Sequence, residues 1–216
     1  SMPGMMETVL DIGLNDQTVA GVAAEAGDEH FAWDSYRRLI QMFGKTVLGI
    51  DSDLFEERLS AAVRDSGSAA DVELPVPVLQ KLVADYQELV RVETGHDFPQ
   101  DPDRQLMMAI LAVFESWNTE RAMLYRRQER IPHDLGTAVT VQAMVFGNFD
   151  MRSGSGVAFT RNPNTGAAEL YGEFLAGRQG EDLVSGSATP VPLAEPGGLA
   201  EAHRRALVEH GAHLER

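Results

Sequence analysis

Between Ser153 and Asp182, three groups of residues have types that could do chemistry together. Ser153-Gly-Ser-Gly156 is a glycine–serine loop, Arg161 stands beside the turn sequence Asn-Pro-Asn-Thr-Gly166, and Glu181-Asp182 is an acidic pair. Carried on adjoining strands, such groups are the parts from which a phosphate and metal site is assembled. The same parts occur in many ordinary antiparallel sheets, so the elements that hold them must decide.

Those elements read as short strands. Thr137 to Phe146 alternates, with Val139, Val141, Ala143 and Val145 on one face and Thr140, Gln142, Met144 and Phe146 on the other. The apolar run Val157 to Thr160 and the segment Glu169 to Phe174 flank the turn, so Gly156 to Phe174 is predicted to be a β-hairpin. Upstream the period is helical. Helices are predicted over Asn15–Ala26, capped by Asn15 or Asp16, over Trp33–Thr46 and over Asp53–Arg64. Tyr36, Leu39, Ile40, Phe43 and Val47 form one buried stripe of the second. Pro75 and Pro77 open a helix carrying Leu79, Leu82, Val83, Tyr86, Leu89 and Val90, with Gly95 as its C-cap. A further helix carries Leu106, Ala109, Ile110, Val113, Phe114 and Trp117, and another covers Thr119–Arg130; their apolar residues are read as core. The composition turns β-rich from Gly136 to about Ser185, passes through an extended loop over Ser187–Gly198, and ends in an amphipathic helix over Leu199–Leu214.

Other residues have competing readings. Arg37 and Arg38 are adjacent, about 100° apart on a helix, so at least one leaves the solvent face. Surface salt bridging is the bland account of both. Ser1 to Met6 is either a frayed tail or a loop closing over a ligand, with Gly4 permitting close backbone approach. His203, His210 and His213 lie loosely along one side of the last helix without a metal-site signature, and read as solvated. No G-x-S-x-G elbow, Walker A loop or G-x-G-x-x-G fingerprint occurs, which leaves hydrolase, P-loop and dinucleotide readings without support.

Composition narrows the classes further. The 216 residues are 44% hydrophobic, which suits a real core, and include no cysteine, which removes disulfides and thiolate metal sites. A net charge of -15 argues against nucleic-acid binding through a basic face. No apolar run approaches the length of a membrane span and no signal peptide is visible, so no membrane partner and a cytoplasmic location are expected.

Several strings, in order, resemble the N-terminal nucleotide-binding region of the pyruvate, phosphate dikinase family. They are SMPGMMETVLDIGLND (1–16), YRRLIQMFGKTVLGID with LFEE (36–57), FPQDP (98–102), VFESWNTERAMLYRR (113–127), GTAVTVQAMVFGN (136–148), SGSGVAFTRNPNTG (153–166) and LYGEFLAGRQGEDLVSG (170–186). The resemblance implies an α+β, ATP-grasp-like fragment: a helical subdomain plus a β-rich nucleotide-binding lobe. Residues 15–104 would be the inserted helical subdomain. Residues 1–14 and 105–141 would be a remnant of the first lobe, and 142–216 the second lobe, with Gln142 to Val145 as the hinge where adenine docks. The family reaction interconverts ATP, phosphate and pyruvate with AMP, pyrophosphate and phosphoenolpyruvate, through a phosphohistidine on a separate swivelling domain.

The same resemblance assigns residues. Gly4 matches a glycine near the phosphates, and Arg38 an arginine reaching the polyphosphate. Gln142 and Met144 fall at the adenine hinge. Ser155 and Gly156 match the Thr-Gly of the family's SGTG turn, Ser keeping the hydroxyl. Glu181 and Asp182 match an acidic pair suited to ribose hydroxyls or Mg²⁺ waters, while Arg161 reads as tying the hairpin turn. The family places a lysine and an arginine for the triphosphate ahead of the stretch matched here, and its main Mg²⁺ carboxylates and a Gln-Thr-Arg motif beyond it. No catalytic or metal-ligating residue is therefore assigned within the fragment, which is expected to be inactive alone. Mg²⁺ is expected with ATP, the phosphohistidine swivel domain as a partner, and a homodimeric parent. Alternatives are phosphoenolpyruvate synthase or an antibiotic phosphotransferase of the same architecture, or a non-catalytic regulatory module that has lost ATP chemistry. The QMFG, FPQDP and TRNP strings argue for the dikinase.

Overall fold

A computed structural model of the chain describes residues 7–150, 152–184, 189–194 and 201–214. It divides into two compact units, residues 1–144 and 145–216. Among the described residues, no helix is long and apolar enough to cross a membrane.

The first unit is helical: α1 (Thr18–Ala26), α2 (Glu29–Thr46), α3 (Ser52–Ser66), a 3-10 turn (Asp71–Glu73), α4 (Val76–Thr94), α5 (Pro102–Ser116) and α6 (Glu120–Gln128). Local chemistry sets the boundaries. Asn15 Oδ1 accepts from the N–H groups of Gln17 and Thr18 at 2.8 and 2.7 Å, which satisfies donors at the start of α1. Helix α2 begins a turn earlier than Trp33 because Asp28 caps it, accepting from Phe31 N–H at 3.1 Å. Gly95 closes α4 as its C-cap with φ 74°.

The core lies where α2 packs on α1, α3 and α4. Tyr36, Leu39, Ile40 and Phe43 from α2 meet Phe55, Leu79, Leu82, Tyr86 and Leu89, all of them buried. Each such side chain contributes about 1.5–3 kcal/mol by leaving water. Phe55 and Tyr86 meet edge to face, with centroids 4.9 Å apart.

Helix α5 departs from the sequence expectation. Of its apolar residues only Ala109 is buried, whereas Met107, Leu111 and Phe114 are 57%, 53% and 43% exposed. Its interior contact is polar instead. Gln105, fully buried, accepts from Gly13 N–H at 2.8 Å and donates to the carbonyls of Leu14 and Pro99 at 3.0 and 2.7 Å. Periodicity reports that a helix has an apolar face, not that this chain supplies what covers it. In α6, buried Arg126 donates to His133 Nδ1 at 3.1 Å and to the Trp117 carbonyl, its guanidinium 4.0 Å from the Trp117 ring centroid.

The second unit holds a three-stranded antiparallel sheet: β1 (Gly154–Phe159), β2 (Tyr171–Ala176) and β3 (Val191–Pro192), in that order. The predicted hairpin is present. Ser155 faces Leu175, Gly156 faces Phe174 and Phe159 faces Tyr171 across it. The short β3 lies inside the stretch read as a loop. Helices α7 (Gly180–Val184) and α8 (Glu201–Leu214) complete the unit, α7 packing on β1. Along α8 the side chains from His203 to His210 are exposed, Leu207 at 37% and Val208 at 50%.

The strand expected over Thr137–Phe146 is absent: those residues form no ladder, and Val141 and Val145 are 63% and 89% exposed. Alternation gives a segment two faces, but a strand also needs a partner for its N–H and C=O groups. Among the described residues nothing pairs with this segment.

Candidate functional site

In the second unit the hairpin turn, the glycine–serine loop and α7 are held by side chains close in sequence. Asn162 organises the turn: its Oδ1 accepts from Asn164 N–H at 2.9 Å and its Nδ2 donates to Glu169 at 2.9 Å. Arg161, expected to tie this turn, has contacts of its own. Asp150 anchors the glycine–serine loop. Its Oδ1 accepts from Ser153 N–H at 2.8 Å and Ser153 Oγ at 2.9 Å, and its Oδ2 from Arg152 Nε at 2.9 Å. Hydrogen bonds from Arg152 and Ser153 hold the Asp150 carboxyl at about 2.

Ser155, half-buried on β1, is the point on which the neighbouring segments converge. A Cβ built on Gly147 would overlap both Ser155 Oγ and the Arg178 carbonyl oxygen, so only glycine lets the chain pass there. At Gly180, the first residue of α7, an added Cβ would lie 4.0 Å from Ser155 Cβ. Gly156 follows on β1, where a Cβ would meet the Glu173 carbonyl oxygen at 2.8 Å. Asp182, 8% exposed, accepts from Gln179 N–H at 3.2 Å and donates its own N–H to the Gln179 carbonyl at 3.1 Å. The structure therefore gathers Ser155 with the segment that carries the acidic pair. Glu181 is described only as part of the α7 backbone.

The remaining candidates lie in residues 1–144. Gln142 is exposed, and Met144 is half-buried with its Sδ accepting from Asp11 N–H at 3.4 Å. Gly4 lies outside the described residues. Arg38 is not a solvent-facing residue: its side chain is 11% exposed, and its Nε donates to Asp34 Oδ2 at 2.8 Å.

Asp34 is the organising acid of this group. Its Oδ1 accepts from Arg37 Nε at 2.9 Å and Nη2 at 2.7 Å, so one carboxylate serves both arginines. Arg37 continues to Gln41 at 3.0 Å, Gln41 to Glu56 at 2.6 Å, and Arg37 also lies 3.8 Å from Asp71. Burial alone would raise the Asp34 carboxyl, but Arg37 and Arg38 outweigh it and hold it at about 2. Burial likewise opposes the Arg37 charge, and Asp34 overcomes it, so the guanidinium is held above its usual value. Asp34 went unremarked in the sequence, although its spacing of three and four residues from the two arginines is the helical ion-pair spacing. Gly147 and Asp150 left no comparable signal, since their contacts depend on how the loop turns back.

No group of three or more His, Cys, Asp or Glu residues that could hold a metal ion occurs among the described residues.

The family described as "Pyruvate phosphate dikinase, AMP/ATP-binding domain" matches residues 1–197. A pyruvate, phosphate dikinase of Rhizobium meliloti (strain 1021) is 51% identical over 97% of this chain and 23% of its own length. Pyruvate, phosphate dikinase 2 of Zea mays is 50% identical over 100% of this chain and 24% of its own length. The enzyme of Giardia intestinalis is 51% identical over 90% of this chain and 22% of its own length. The chain thus spans under a quarter of the length of these relatives. With the match extending over nearly all of its residues, the chain belongs to the pyruvate phosphate dikinase AMP/ATP-binding domain family.

Proposed function

We propose that this chain is the nucleotide-binding part of a pyruvate, phosphate dikinase, built on the ATP-grasp plan. The observation that carries this reading is the family match over residues 1–197, joined to about half identity with dikinases of a bacterium, a plant and a protist. In the parent, ATP, phosphate and pyruvate interconvert with AMP, pyrophosphate and phosphoenolpyruvate through a phosphohistidine on another domain. The parent works as a homodimer in the cytoplasm.

Residues 15–104 act as the inserted helical subdomain, residues 1–14 and 105–141 as part of the first lobe, and residues 142–216 as the second. Phosphoryl transfer depends mostly on positioning and charge compensation, and each site residue has a share in that. Arg38 brings a guanidinium to the polyphosphate. The Ser155 hydroxyl, Gly156 and Gly4 bind phosphate oxygens, Gln142 and Met144 flank adenine, and Glu181 and Asp182 serve ribose hydroxyls or Mg²⁺ waters. Mg²⁺ enters as the counter-ion of the ATP substrate. The chain alone binds Mg-ATP weakly and catalyses nothing.

Assaying the full-length parent with and without inorganic phosphate tests this reading. Phosphoenolpyruvate formation that depends strictly on phosphate is expected. Formation without phosphate would overturn it in favour of a phosphoenolpyruvate synthase.

A further inference from the structure

We infer that Asp34 is a positioning residue for the nucleotide, fixing the Arg38 guanidinium while Arg37 holds Asp34 in place. This deepens the proposed function and rests on its assignment of Arg38 to the polyphosphate. Arg38 sits on an 18-residue helix whose other face is core, so its Cα is fixed by packing. Its side chain is 11% exposed, and an arginine has several rotations to lose before its guanidinium is oriented. The bond from Arg38 Nε to Asp34 Oδ2 at 2.8 Å restricts them by holding the base of the guanidinium plane. Asp34 can do this only if it stays still, and both donors of Arg37 on its other oxygen, at 2.9 and 2.7 Å, clamp it. Arg37, at 2% exposure, is too deep to meet a ligand, which leaves it a structural task. One carboxylate thus holds two neighbouring arginines, Arg37 as its anchor and Arg38 as the group it orients. A guanidinium oriented before the ligand arrives loses less freedom on binding and gives a larger net contact.

The test is a double-mutant cycle in the full-length parent, reading Mg-ATP affinity by calorimetry and the KM values for ATP and pyruvate. Arg38→Ala is expected to weaken Mg-ATP binding about 10- to 100-fold, and Asp34→Asn about 5- to 10-fold, with KM for pyruvate unchanged in both. Added to Arg38→Ala, Asp34→Asn is expected to change affinity by less than about twofold. If its effect persists undiminished in that background, Asp34 acts on the fold and not through Arg38, and the inference falls. An unchanged affinity in Asp34→Asn overturns it equally. An unchanged affinity in Arg38→Ala instead removes the assignment of Arg38 itself, a separate failure. Should Asp34→Asn not fold because Arg37 is left buried and unpaired, Asp34→Leu/Arg37→Met removes that pair together. The same loss of ATP affinity is expected there, and wild-type affinity would overturn the inference.

Discussion

Asp34 and Arg37 meet at 2.7 Å with side chains only 7% and 3% exposed, a fully desolvated ion pair one helical turn apart. Such a pair adds little net stability when whole but is costly to halve. Arg37→Met is therefore expected to lower the unfolding free energy of the chain by about 3 kcal/mol, and Asp34→Leu/Arg37→Met to recover most of that loss. Urea titrations followed by circular dichroism measure both. A single mutant as stable as wild type would contradict the burial of the pair.

The same carboxylate makes stability depend on acid. Its folded value of about 2 lies below the ordinary 3.8, so the stabilisation is complete above the unfolded value and disappears as pH falls towards the folded one. A loss on the order of 2 kcal/mol between roughly pH 4 and pH 2 is expected. Denaturation midpoints across that range should move less in Asp34→Asn than in wild type. At the alkaline end, burial pushes the Tyr86 phenol up to about 12, against the pull of Arg37. Its stabilisation is whole below pH 10 and is lost as pH rises towards 12; Tyr86→Phe removes that dependence.

Gln105 carries a different liability. Replacing it with leucine keeps the volume but strands Gly13 N–H and the carbonyls of Leu14 and Pro99 in a dry interior. A cost above about 3 kcal/mol is expected, compared with under about 0.5 kcal/mol for Leu111→Gln on the exposed face of the same helix. Thermal or urea unfolding of the two variants side by side checks the contrast.

The helical half of the fold was legible in the sequence because its signals are local. The stripe of α2 and the prolines and Gly95 around α4 each act within a few residues. The hairpin was legible for the same reason, its turn residues lying between two apolar runs. What failed depended on partners distant in sequence. Val139 to Val145 alternate as a strand does but, among the described residues, have no ladder to join, and Phe114 has helical spacing yet is 43% exposed. The candidate site divides along the same line. Arg38 and Ser155 could be named from strings, whereas Gly147 matters only because the fold brings it against Ser155.

That approach supplies a further prediction. Gly147→Ala places a methyl group where Ser155 Oγ and the Arg178 carbonyl already lie. A loss of about 1–3 kcal/mol from overpacking is expected, felt in the second unit. Amide exchange across β1 and β2 should accelerate while that of α2 and α4 stays slow. Uniform acceleration in both would count against a local cause.

The division of the chain also separates its chromophores. Both tryptophans, Trp33 and Trp117, fall in residues 1–144, while Tyr171 is the lone tyrosine of residues 145–216. Tryptophan emission therefore watches the helical unit alone. An emission melt that lags or leads the far-ultraviolet transition would reveal units that unfold independently. The protein carries its own optical label for that comparison, without any engineered probe.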